Sequence, residues 1–144
     1  MYSLCPFVHS CNLSPNLGGY MPCPRVLVID EGGDFGQVVA VLLQLDGMAA
    51  VHVDCPKRGL DLIQQSHDNG EPIHVVVLTH QRVTDHPPER FVSMVRKKHG
   101  AKPAVIITTA SRQLMQIDGA DHVVDAMEVT HLLPDLIRAL RRVV

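Results

Sequence analysis

The sequence predicts an α/β domain built on a parallel sheet of five strands, and three observations carry this prediction. From residue 25 onward, short runs rich in β-branched residues alternate with amphipathic stretches, which is the pattern of repeated βα units. Apolar residues make up 46% of the chain but aromatic residues only 3%, so the core must consist of valine, leucine, isoleucine and alanine. The length of 144 residues suits one domain and leaves no room for a second.

Two βα units come first. Residues 26–30 (VLVID) predict the first strand, and a helix follows that Gly47 ends. Residues 49–53 predict a second strand, followed by a helix around Leu60 and Ile63. The apolar residues that recur at helical spacing in the first helix are Phe35, Val38, Val39, Leu42 and Leu45.

The third and fourth units contain the most apolar strands. Residues 73–78 (IHVVVL) form an unbroken apolar run, which indicates a central strand buried on both faces. Pro87 and Pro88 open the next helix. Residues 104–107 (AVII) predict the fourth strand, and a short helix is expected over residues 111–117. The residues of the third helix expected to face inward are Phe91, Val92, Met94 and Val95.

The fifth unit is short and ends in a long amphipathic helix. Val123 and Val124 predict the strand, and Thr130 is expected to cap the helix. Pro134 would then fall in the first turn, where proline is tolerated. The apolar stripe of this helix consists of Leu133, Leu136, Ile137, Leu140 and Val144.

Five βα units in residues 25–144 fit a doubly wound, flavodoxin-like sheet of order 2-1-3-4-5, whose ligands gather at the carboxyl ends of the first and third strands. At the first of these ends, Asp30 and Glu31 are similar to the acidic pair that holds magnesium in response-regulator receiver domains. Residues 103–108 (PAVIIT) resemble the fourth strand of that family, with Thr108 as the hydroxyl residue that contacts the phosphoryl group. Residues 119–121 resemble its GAD turn.

The chain departs from the receiver pattern at two informative positions. The third strand of the family ends in the aspartate that accepts the phosphoryl group, where this chain has Thr79. The lysine that follows the fifth strand is Ala126 here. A threonine hydroxyl is a poor nucleophile without an adjacent general base, and its ester would be too stable for a rapid switch. The resemblance therefore implies a pseudo-receiver, which keeps the fold but not the usual phosphorylation centre.

The acidic pair has two interpretations. Magnesium prefers octahedral oxygen ligands, and Asp30 and Glu31 supply only two carboxylates, so a metal site and a solvated or helix-capping pair both remain open. No other cofactor is expected. Three residues near the strand ends remain open as atypical phosphoacceptors: Asp54, His80 and Asp85.

The resemblance implies a non-enzymatic signalling module of a two-component pathway. It would bind a histidine kinase or an output protein through its last strand or last two helices, with a homodimer also open. One alternative is a receiver phosphorylated at an atypical residue. The other is a flavodoxin-like binder of a small ligand, in which Gly32 and Gly33 would cradle a phosphate despite the acidic residues around them. Two further sets of residues could bind negative charge. The hydroxyls of Thr108, Thr109 and Ser111 could hydrogen-bond an anion, and Arg138, Arg141 and Arg142 of the last helix could bind an acidic partner.

Composition and the amino-terminal segment limit the remaining function classes. A net charge of −2 gives no broad positive field for nucleic acid. No apolar run reaches the roughly 18 residues that cross a bilayer, and no export signal is visible, so a cytoplasmic protein is expected.

Residues 1–24 predict a disordered tail, and the four cysteines are expected to be reduced. Cys5, His9, Cys11 and Cys23 are of metal-ligand types but lack the paired spacing of a zinc module.

Overall fold

The computed structural model describes residues 23–31, 34–80, 88–109 and 119–142. The strands in these ranges are β1 (Arg25–Ile29), β2 (Ala49–Val53), β3 (Val75–His80), β4 (Ala104–Thr109) and β5 (His122–Asp125). The helices are α1 (Asp34–Leu45), α2 (Pro56–Asp68), α3 (Pro88–His99) and α4 (Val129–Arg142), the last preceded by a 3-10 turn at Ala126–Glu128. All the strands pair in parallel in the order β2-β1-β3-β4-β5, which confirms the predicted fold class and strand order.

Each face of the sheet carries its own hydrophobic core. Because side chains alternate across a strand, Leu27 and Ile29 of β1 face α2 and α3, whereas Val26 and Val28 face α1 and α4. All four are fully buried. Burial on both sides explains why β1, β3 and β4 appear in the sequence as continuous apolar runs and not as alternating patterns.

Helix α1 buries a narrower stripe than the sequence analysis expected. Its buried residues are Gly36, Val39, Ala40 and Leu43, at the spacing of one helical face. Two residues assigned to the core lie off this face, since Val38 is 55% exposed and Leu45 is 79% exposed. The helix ends at Leu45, and Gly47 follows it with a positive φ of 89°, as predicted.

Two expectations for the later helices are also corrected. In α3, Phe91, Val92 and Val95 are buried as predicted, but Met94 lies off that face and is 47% exposed. In the last unit the 3-10 turn leads directly into α4 at Val129, so Thr130 lies inside the helix and does not cap it. Pro134 consequently falls in the second turn of α4.

The cysteines also differ from the expectation of reduced thiols. Cys23 is disulfide-bonded, and its partner lies outside the described residues. Cys55 is a free, half-buried thiol. Several other predictions concern residues outside the described ranges: the helix over residues 111–117, the tail up to residue 22, Gly32, Gly33, Asp85 and Ser111. No helix in the described part of the chain is long and apolar enough to cross a membrane.

Candidate functional site

The register of the sheet brings three predicted site residues together at its carboxyl edge. Thr79 and Thr108 are direct partners across β3 and β4. Ile29 pairs with Leu78, so Asp30, the next residue along β1, lies beside Thr79. Strand β3 is two residues longer at this end than residues 73–78 predicted, because Thr79 and the residue after it continue the pairing with β4.

Asp30 and Thr79 are joined by a short hydrogen bond inside the protein. Asp30 is 3% exposed and Thr79 is 8% exposed. Thr79 Oγ1 lies 2.6 Å from Asp30 Oδ1 and 3.2 Å from the carbonyl oxygen of Ile29. A hydroxyl has one proton to donate, and the nearer, ionisable carboxylate is the stronger acceptor. The residue at the family's phosphoacceptor position is therefore a hydrogen-bond donor to the first acid.

The second oxygen of Asp30 is bonded to helix α1. The backbone N–H of Gly36, in the first turn of α1, donates to Asp30 Oδ2 at 2.6 Å. The first N–H groups of a helix have no partner within the helix, and a negative charge at that end is also favourable. Asp30 therefore caps α1, which is one of the two interpretations that the sequence left open.

Glycine at position 36 is required by close packing. A Cβ atom there would lie 2.4 Å from Asp30 Cβ and 2.8 Å from His52 Cδ2, well inside normal contact distances. The sequence analysis singled out neither Gly36 nor His52. The available signal was a glycine near the start of a predicted helix, where its cost to helix stability calls for a packing reason.

The acidic pair is divided between the interior and the surface. Asp30 is buried, but Glu31 is exposed. No group of three or more histidine, cysteine, aspartate or glutamate residues within the described ranges could hold a metal ion. Magnesium needs near-octahedral oxygen coordination, whereas here one carboxylate is buried and already accepts through both oxygens. The described residues therefore do not fit a magnesium site.

The two other positions that the resemblance to receiver domains assigned, Thr108 and Ala126, bring no charged group to the site. Thr108 is fully buried, and its Oγ1 has no hydrogen-bond partner among the described residues. Ala126, at the position of the family's lysine, lies half-buried in the 3-10 turn and brings no cation. Asp125 Oδ1 caps that turn by accepting from the N–H of Met127 at 2.9 Å.

The predicted GAD turn, residues 119–121, connects the start of β5 to β4 and α3. Gly119 has a φ of 87°, and a Cβ there would lie 2.8 Å from Val92 Cγ1, so the turn requires glycine. Asp121 Oδ2 accepts from the N–H of Val105 at 2.7 Å and from Arg96 Nη2 at 2.6 Å. These bonds fix the start of β5 against β4 and α3.

The remaining candidates make surface contacts or lie outside the described residues. Asp54 is exposed and forms a 3.5 Å ion pair with exposed Arg58, four residues along the chain. Arg138 contacts Asp46, at the end of α1, and Asp135 at 3.3 Å. Its guanidinium is therefore engaged within the molecule. Three side chains that the sequence analysis considered lie outside the described part: His80, Arg141 and Arg142.

Comparison with known proteins places this geometry in a fold class. No family model and no curated protein matches the chain. Among solved structures, the receiver domain of the Francisella response regulator 1452 superposes with a TM-score of 0.68 at 21% identity, covering 84% of this chain and 99% of that one. The response regulator TrrA from Thermotoga maritima, in complex with Mg²⁺-BeF, superposes with a TM-score of 0.66 at 18% identity, covering 81% and 98%.

A third solved structure has a similar fold. A CheY-like receiver domain of Methanospirillum hungatei superposes with a TM-score of 0.64 at 12% identity, covering 85% of this chain and 99% of that one. The chain thus has the fold of response-regulator receiver domains, as its resemblance to them implied.

Proposed function

We propose that this chain is a receiver-like signalling domain of a two-component pathway that is not phosphorylated at the family's usual position. It acts by binding a protein and not as an enzyme. The hydrogen bond from Thr79 to buried Asp30 is the observation that carries the proposal. In this arrangement the acceptor position has no carboxylate, and the first acid is occupied by internal donors.

The chemistry of aspartyl phosphorylation supports the same conclusion. Phosphoryl transfer to a receiver needs a carboxylate nucleophile, a metal that bridges the oxygens and a cation that balances the developing charge. Thr79 replaces the nucleophile and Ala126 replaces the cation. Asp30 and Glu31 do not combine into a metal site among the described residues. Each of the three requirements is therefore missing from the described part of the site.

The proposed contact surface is the edge of the sheet formed by β5 together with α4. Among the described strands, β5 pairs only with β4, and its other edge is the proposed place where a partner binds. Met127, directly after β5, is 84% exposed, and a large exposed apolar side chain beside this edge suits a protein contact. The proposed partner is a histidine kinase or an output protein of the same cytoplasmic pathway.

Incubation with acetyl phosphate and magnesium, followed by intact-mass measurement, tests the proposal directly. We expect no gain of one phosphoryl group, while a conventional receiver domain in the same tube gains it. Labelling of this chain would contradict the proposal. Peptide mapping would then show whether Asp54, His80 or Asp85 is the acceptor, which would support the alternative of an atypical receiver.

A further inference from the structure

A cavity lies at the amino edge of the sheet, opposite the site around Asp30. Its volume is about 400 Å³, within the range of small-molecule sites. It is formed where α2 and α3 end and where the chain enters β3 and β4. Its lining residues are Ile63, His67, Pro72, Ile73, Lys98, His99, Lys102 and Pro103.

The lining divides into an apolar part and a basic part. Ile63 and Ile73 belong to the buried core on this face, and with Pro72 and Pro103 they give an apolar wall. Lys98 and Lys102 are exposed and bring two ammonium groups to the same cavity. An apolar wall beside fixed positive charge suits a ligand with an apolar body and an anionic group.

The negative charges nearby do not cancel the two lysines. The carboxyl ends of α2 and α3 each carry a partial charge of roughly −0.5 at most. Asp68 and Glu71 do not line the cavity. The charge of Asp68 acts on His99, which does line it, and Asp68 Oδ1 accepts a hydrogen bond from Gln64 Nε2 at 2.9 Å. The lining itself contains no carboxylate, so the charge that a ligand meets there is positive.

His99 lines the cavity and carries an unmet hydrogen-bonding group. Its Nε2 is buried and has no partner among the described residues. The rings of His67 and His99 stand edge to face, with centroids 6.3 Å apart. Buried polar atoms are nearly always hydrogen-bonded in folded proteins, so an unpartnered nitrogen on a residue that lines the cavity marks a place where the wall is not fully satisfied.

We propose that this cavity binds a small organic anion that carries a ring, such as an aryl phosphate. The ring packs against Ile63 and the two prolines, and the anionic group lies between Lys98 and Lys102. The site is at the far end of the strands from Asp30. Its occupancy therefore does not depend on whether the chain is phosphorylated, and the two proposals can fail separately.

Titration of the ¹⁵N-labelled chain of 144 residues with three probes, followed by amide chemical shifts, tests this site. Phenyl phosphate combines ring and charge, inorganic phosphate has the charge alone, and phenol has the ring alone. We expect saturable shifts at residues 63–73 and 98–103 with phenyl phosphate, and binding at least about tenfold tighter than for either other probe. Equal binding of inorganic phosphate would show ionic attraction only and would overturn the proposal, as would the absence of saturable shifts.

Two variants complete the test. The double substitution Lys98→Gln and Lys102→Gln removes both charges from exposed positions and should weaken phenyl phosphate binding about tenfold. Lys97→Gln removes an exposed charge from the same helix at a position that does not line the cavity, and should leave the affinity unchanged. Equal effects of Lys97→Gln and the double substitution would overturn the assignment of the site.

Discussion

The carboxylate of Asp30 is buried and connects two parts of the fold. It accepts one hydrogen bond from Thr79 of β3 and another from Gly36 of α1. A buried charge is costly unless hydrogen bonds replace its water. The two donors do this in the described structure, and they tie the first helix to the centre of the sheet. At the scale of single residues, Asp30 therefore connects the first helix to the third strand.

Replacing Thr79 tests the contribution of its hydroxyl. Thr79→Val keeps the shape of the side chain but removes the donor, so the buried carboxylate loses a hydrogen bond and the free energy of unfolding should fall by about 1.5–3 kcal/mol. Urea unfolding measures this difference. Thr79→Ser retains the hydroxyl but loses the methyl group, and it should lose less stability than Thr79→Val. A Thr79→Val protein as stable as the unsubstituted one would contradict the role of the hydroxyl.

Replacing Gly36 tests the close approach of α1 to Asp30 and His52. Gly36→Ala normally favours a helix, but here the added carbon meets Asp30 Cβ at 2.4 Å. We expect a net destabilisation of about 1–3 kcal/mol from overpacking. Gln37→Ala, at the exposed neighbouring position, should change stability by less than about 0.5 kcal/mol. A stabilised Gly36→Ala protein would show that α1 can shift away.

Arg96 joins secondary-structure elements that are distant in sequence. Its guanidinium donates to the carbonyl oxygens of Gly119, Gly100 and Pro103 at 2.9, 3.1 and 2.8 Å, and to Asp121 at 2.6 Å. One side chain thereby holds the end of α3 against the entries to β4 and β5. The planar guanidinium can satisfy several acceptors at once, which an ammonium cannot do in the same geometry.

We expect Arg96→Ala to lower the free energy of unfolding by about 2 kcal/mol, since it removes several charge-assisted hydrogen bonds at a partly exposed position. Thermal or urea unfolding would show the change. Lys97→Ala, at the next position, which is exposed, is the matched control and should be nearly neutral. If the two variants were equally stable, Arg96 would contribute no more than a surface charge.

The helices and strands differ in how well the sequence specified them. Continuous apolar runs identified β1, β3 and β4, because only strands buried on both faces need them. The limits of burial on α1 and the start of α4 were predicted less well. Val38, Leu45 and Met94 are apolar but lie off the stripes that contact the sheet, and periodicity alone does not exclude them. The start of α4 depends on the 3-10 turn at Ala126–Glu128, which has no distinct sequence signal.

The stability of the whole molecule should depend on pH through His99. Burial lowers the pKa of His99 below 6.5, and the positive charges of Lys98 and His67 add to this, while Asp68 opposes it. The unfolded chain therefore binds a proton more readily than the folded protein. The contribution of His99 is fully present above pH 6.5 and is lost as pH falls toward the lower folded-state pKa.

Urea unfolding at about pH 7.5 and about pH 5.5 checks this expectation. The unsubstituted protein should lose more stability over this interval than His99→Gln, because the variant lacks the titrating group but keeps His67 and Asp68. A titration of the His99 ring by NMR should locate the folded-state pKa below 6.5. If the stability of the two proteins depended on pH in the same way, the pH dependence could not be assigned to His99.

For the molecule as a whole, the order of the strands was predicted from the sequence, and so was the position of Asp30, Thr79 and Thr108 at one edge of the sheet. These predictions succeed because strand order and register determine which strand ends meet. The roles within the site were harder to predict, since the choice between metal ligand and helix cap depends on which donors lie within 3 Å of Asp30. The cavity at the opposite edge has no sequence signature, because its residues come from two stretches, 63–73 and 98–103, that only the fold brings together.

Helix α4 has a practical consequence for anyone who shortens this gene. Val129, Leu133 and Ile137 are each no more than 2% exposed, and they cover the sheet beside α1. A stop codon placed before position 129 would leave Val28, Val77 and Ile106 open to water on that side. Such a fragment should collect in inclusion bodies, so a shortened gene needs to retain the whole of α4.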